Sequence, residues 1–177
     1  MKKLIVSVFA LAAVVFSSSA AININGTGNA ELLAQLAIST TITGGDLTGN
    51  VSGGVLEFGK IGIGSTASVV KVSTTGVRTL ESGDAGLSVT STTPTAAGFA
   101  VTGGANLTYT LTLPVNNTVN LTSGGNTLKV QDFTPLSAGT LNALGKDWFA
   151  VGASLEIPSA AVAGAYTGTF QVTIVYN

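Results

Sequence analysis

Glu81 and Asp84 flank Gly83, and two carboxylates so close could share general-acid and general-base work. Ser82, Gly83 and Asp84 are turn formers, however, so the pair is expected on a solvated hairpin turn. Asp46, Asp132 and Asp147 lack the spacing of a calcium loop. The sequence contains neither histidine nor cysteine, which removes the commonest general base and the commonest transition-metal ligand. A serine triad therefore lacks its base, and there is no G-x-S-x-G elbow. Gly59, Gly62 and Gly64 do not match a phosphate loop and read as a bulge or tight turn. Trp148-Phe149 could stack a sugar, but neighbouring strand residues face opposite sides, so one of the two is expected in the core. No residue is expected to act as a catalytic group or a metal ligand, and no cofactor is expected.

The elements around these residues begin with an export signal. Lys2 and Lys3 precede an uncharged apolar run, Leu4 to Phe16, and then small residues, Ser17 to Ala21. This is the layout of a secretory signal peptide over residues 1–21, and the run is too short to span a bilayer core of about 30 Å. About 156 residues follow, enough for one domain. Without Lys2 and Lys3 the chain keeps five basic against eight acidic side chains, a net charge of −3. Charged residues are 8% of the sequence, against about a quarter in ordinary soluble domains. A surface of Thr, Ser, Asn and Gly has little electrostatic reach, so nucleic acid is not an expected partner.

Short alternating runs divided by Gly, Asn, Ser and Asp clusters predict an all-β antiparallel sandwich or barrel. Expected strands are Val55–Phe58, Ser68–Ser73, Gly86–Thr90, Gly98–Val101, Leu107–Leu113, Thr127–Phe133, Phe149–Ile157 and Tyr166–Tyr176. Turns are expected at Gly44-Gly45-Asp46, Ser82-Gly83-Asp84, Gly103-Gly104 and Gly124-Gly125-Asn126, and a helical turn only at Leu141-Asn-Ala-Leu144. The mature N-terminus is apolar or small at nearly every even position from Ile22 to Ile42: Ile22, Ile24, Gly26, Gly28, Ala30 and Leu32 lead the series. Such a ribbon would span roughly 70 Å, too long for this domain, so residues 22–32 must bend back or leave it. At the other end Phe170, Val172, Ile174 and Tyr176 alternate to the penultimate position.

These two ends resemble the subunits of chaperone–usher pili, whose C-terminal signature is a penultimate aromatic, alternating hydrophobics and a glycine fourteen residues from the end. Tyr176, Ile174, Val172, Phe170 and Gly164 match it. Leu56-Glu-Phe-Gly59, Val101-Thr-Gly103 and Gly164-Ala-Tyr-Thr-Gly168 also resemble a Cys-free family of secreted pilin-like proteins. The resemblance implies an immunoglobulin-like β-sandwich, residues 33–177, that is incomplete and needs a donor strand. It makes Ile22, Ile24, Gly26, Gly28, Ala30 and Leu32 the donor, and Gly164, Phe170, Val172, Ile174 and Tyr176 the acceptor groove and chaperone-binding strand. Implied partners are identical subunits in a head-to-tail filament, a periplasmic chaperone and an outer-membrane usher, with transit through the periplasm to the cell surface. The alternative is a self-contained adhesin or carbohydrate-binding sandwich whose residues 22–32 fold back onto their own domain. Intact-mass analysis of the exported protein is expected to give an N-terminus at Ala21 or Ile22, and retention of Met1 would remove the signal-peptide reading.

Overall fold

The computed structural model describes residues 21–32, 51–88, 93–136 and 139–177, and of 21–32 and 51–53 the backbone alone. The signal segment up to residue 20, the ribbon beyond Leu32, the turn at Gly44-Gly45-Asp46 and the last two positions of the strand expected over Gly86–Thr90 lie outside the described residues. The fold is all-β and sandwich-like, with no helix among the described residues. Its strands are β1 (Ala21–Leu32), β2 (Val51–Gly53), β3 (Val55–Gly62), β4 (Ser68–Val72), β5 (Arg78–Ser82), β6 (Gly86–Leu87), β7 (Ala96–Thr102), β8 (Tyr109–Thr112), β9 (Val119–Ser123), β10 (Asn126–Leu136), β11 (Lys146–Ile157) and β12 (Gly164–Tyr176).

One curled sheet runs in the order β2-β7-β11-β10-β9-β12-β1-β3-β6, with β4 joined to β11 and β5, and β8 joined to β12. Pairing is antiparallel except for β1 with β3 and β2 with β7. β2 and β3 adjoin in sequence but stand near opposite ends of this order, and Gly54 makes the step between them. Beyond it, Glu57 bridges back to Thr95, just ahead of β7, and brings the sheet round on itself. Inside the curl lies one apolar core, centred on Phe58, Phe99, Phe149, Leu121, Leu155, Tyr166 and Ile174. β11 is buried at consecutive positions from Phe149 to Leu155. Its two halves take different partners on one edge, β7 beside Lys146–Val151 and β4 beside Ala153–Ile157.

The turn chemistry explains several connections. β9 and β10 join through Gly124 and Gly125, with φ of 54° and 88°, and Ser123 pairs with Asn126. Two successive positive-φ residues make the hairpin turn whose twist suits its strands. Between Gln131 and Thr134 β10 bulges at Asp132, φ 53°, where Asn116 accepts the Asp132 N–H at 2.8 Å and donates to its carboxylate at 2.8 Å. The helical turn expected at Leu141-Asn-Ala-Leu144 is corrected. Asn142 Oδ1 accepts the amides of Leu144 at 2.8 Å and Lys146 at 3.0 Å, and Gly145 N–H closes a turn on Asn142 O at 2.9 Å. A short side-chain amide offers the backbone this alternative to a helix.

Glu81 and Asp84 are exposed but are not an idle pair. Glu81 meets Lys71 Nζ at 3.0 Å and accepts from Ser154 Oγ at 3.1 Å. Asp84 accepts the amides of Ser65 and Thr66 at 2.9 and 3.0 Å, and their hydroxyls at 2.6 and 2.8 Å. These bonds, the Ser65 hydroxyl's foremost, hold its carboxyl well below the usual carboxylate range. A group held low stabilises the fold fully above its ordinary pKa, 3.8, and loses that contribution as the pH falls below it. Asp84→Asn is therefore expected to lower the melting temperature at pH 7, with the gap to wild type closing below about pH 4. An equal gap at pH 7 and pH 2 would show that the charge does not hold the turn.

Candidate strand-binding cleft

The final strand carries its apolar residues at alternate positions, so one face must be buried. Tyr166, Phe170, Val172 and Ile174 are at most 4% exposed, while Gly164 and Tyr176 are partly covered. Phe170 meets Phe99 edge-on at 6.1 Å and Phe133 at 5.2 Å, and Phe99 stacks on Phe149 at 5.2 Å. Both tyrosine hydroxyls find backbone acceptors. Tyr166 donates to Val162 O at 2.7 Å, and Tyr176 donates to Thr102 O at 2.8 Å. Beside Tyr176, at 6.4 Å, lies Tyr109, whose hydroxyl donates to Asp147 Oδ2 at 2.7 Å. Burial, then the Asp147 hydrogen bond, pushes that hydroxyl above the ordinary phenol range, so it remains a donor.

One edge of β12 is taken by β8 and, at Thr167, by β9. Along the other edge lies β1 of the same chain, antiparallel from Ala21 opposite Val175 to Leu32 opposite Gly164. β3 flanks β1 on its far side, parallel to it. The strand thus occupies a cleft between β12 and β3. Directly opposed residues of an antiparallel pair share a face, and the register matches the two sequences by size. Ile22 stands opposite Ile174 and Ile24 opposite Val172; Gly26 faces Phe170, Gly28 faces Gly168, Ala30 faces Tyr166 and Leu32 faces Gly164. The large aromatics of β12 therefore oppose the small residues of β1.

The expected donor positions, Ile22 to Leu32, and the expected acceptor strand, Gly164 to Tyr176, thus lie side by side along this cleft. Trp148 and Phe149 divide as adjacent strand residues should, Phe149 fully buried and Trp148 half-buried. Asp147 is engaged by Tyr109 and by the Trp148 amide at 2.8 Å. Asp132 belongs to its bulge, Asp46 lies outside the described residues, and no cluster of three or more acidic side chains placed to hold a metal occurs among the described residues. β9, which supports β12 on the edge away from the cleft, was not among the expected strands. A Cβ on Gly168 would stand 2.3 Å from Asn120 O and 2.9 Å from Leu121 Cδ2. The signal was present in Val119-Asn-Leu-Thr-Ser123, which alternates as a strand should. Gly168→Ala is expected to destabilise the fold by about 1–3 kcal/mol in urea unfolding. Gly86→Ala, where the new atom meets only ordinary contacts near 3.8 Å, is expected to remain within about 0.5 kcal/mol of wild type.

No curated protein and no solved structure matches the chain. A family described as a domain of unknown function, DUF4402, matches residues 50–176. That range takes in β2 to β12, hence both walls of the cleft, and leaves out the strand between them. Since the match covers well over half of the sequence, the chain belongs to the DUF4402 family.

Proposed function

We propose that the chain is a structural subunit of an extracellular fibre, a pilin-like protein whose copies are joined by donor-strand exchange. The observation that supports this reading is the insertion of β1 between β12 and β3, with its small and large residues in register with those of β12. Nothing in that pairing depends on which copy supplies the strand. An empty cleft would leave the apolar face of β12 and two rows of backbone groups uncovered, an invitation to aggregation. Filling it pairs those backbone groups and sets the strand's alternate positions opposite Ile174, Val172, Phe170 and Tyr166, and covering a large apolar side chain contributes roughly 1.5–3 kcal/mol. Donor and acceptor are different surfaces, so contact between copies need not close into a ring and can propagate as a filament. A periplasmic chaperone holding the open cleft, and an outer-membrane usher, are the partners this reading requires. The role is structural, without catalysis, at the cell surface.

A second reading draws on the same pairing taken literally. β1 lies against β12 of its own chain, as in a self-contained adhesin or carbohydrate-binding sandwich. The two readings part on the source of the strand. Mature protein with and without residues 22–32 is compared by size exclusion and by unheated SDS gel. SDS-resistant ladders from the full-length form, absent after truncation, are the result expected of an exchanged strand. A clean full-length monomer that unfolds on truncation would overturn the fibre reading and leave the self-contained domain.

A further inference from the structure

β3, the second wall of the cleft, is not a regular strand. From Asn29 to Glu31 β1 advances two residues, while β3 advances three, from Glu57 to Lys60. The extra residue makes a bulge at Phe58 and Gly59, with Gly59 at φ 72°, a backbone conformation that disfavours residues with a Cβ. Two side chains brace it. Buried Glu57, 6% exposed, accepts the Gly59 N–H at 2.9 Å. Arg78, reaching across from the start of β5, donates to Phe58 O at 2.7 Å, to Lys60 O at 2.9 Å and to Ser88 O. Its planar fork thus takes one backbone acceptor within the bulge, one just past it and one beyond β6, a set that a single ammonium cannot reproduce. Burial lowers the affinity of Arg78 for its proton and the Glu57 carboxylate raises it, so the two side chains also meet electrostatically.

The bulge decides which residue of β3 meets Glu31. Without the extra residue Glu31 would fall opposite Gly59; with it, the register partner is Lys60. We infer that Arg78, together with Glu57, is the positioning residue that keeps β3 in its bulged form, and that the bulge selects an inserted strand carrying an acid at the position of Glu31. The cleft then recognises its strand by size along β12 and by charge along β3. This goes beyond the fibre reading, because a strand from the same copy and one from another copy meet the same wall.

Amide hydrogen exchange of the full mature chain tests it, with residues 21–32 reporting seating and residues 146–157 of β11 reporting global stability. Arg78→Lys is expected to cut the protection of 21–32 by about ten-fold while leaving β11 unchanged. Lys60→Glu is expected to cost β1 up to about five-fold, and the charge-swapped pair Lys60→Glu with Glu31→Lys is expected to restore it. Equal loosening of β1 and β11 in Arg78→Lys would make Arg78 a general structural residue and overturn the inference. No change in β1, or failure of the swapped pair to recover, would overturn it as well. Size exclusion on the same samples reports the source of the strand separately, so a monomeric protein leaves this result standing.

Discussion

Backbone groups removed from water must be hydrogen-bonded, and β12, at the centre of the buried face, imposes this condition on the strands along both of its edges. β8 and β9 meet it on one side, β1 on the other. β1 passes the same requirement to β3, which links through Glu57 and Thr95 to the segment leading into β7. The order of the sheet therefore runs through a strand that lies outside the family match. Take β1 away and β12 and β3 are left as two facing edges with apolar surface between them. This constraint makes the cleft a site.

The sparse charges are used for architecture. Asp84 gathers four donors from Ser65 and Thr66; Glu81 joins Lys71 and Ser154; Asp147 anchors Tyr109; Arg78 holds carbonyls of β3. Charge-assisted hydrogen bonds are stronger than neutral ones, so a few of them fix turns and a bulge that glycine-rich sequence would leave loose. The rest of the surface can then be uncharged Thr, Ser and Asn, which carry little long-range field.

Much of the fold was legible because strand periodicity survives in a single sequence. Ser68–Val72, Phe149–Ile157 and Tyr166–Tyr176 alternate or run apolar, and glycine pairs mark the tight hairpin at Gly124-Gly125. What escaped had a local reason. β5, Arg78–Ser82, is half-buried only at Arg78 and exposed at its other positions, so it carries no hydrophobic pattern. β2 is three residues long. Leu141–Leu144 has helical spacing, but the Asn142 side chain competes for the amides a helix would need.

The sequence by itself determined that this is a β protein without histidine or cysteine chemistry, with matched alternating segments at its two ends, because composition and period two are properties of the chain alone. Only the tertiary structure decided that those ends are neighbours and in which register, since pairing between Ile22 and Ile174 joins residues from opposite ends of the chain. It alone also decided that Lys60 rather than Gly59 meets Glu31, through a bulge held by an arginine from another strand. Pairing register depends on which backbones approach and where an extra residue is accommodated, and no local pattern encodes that.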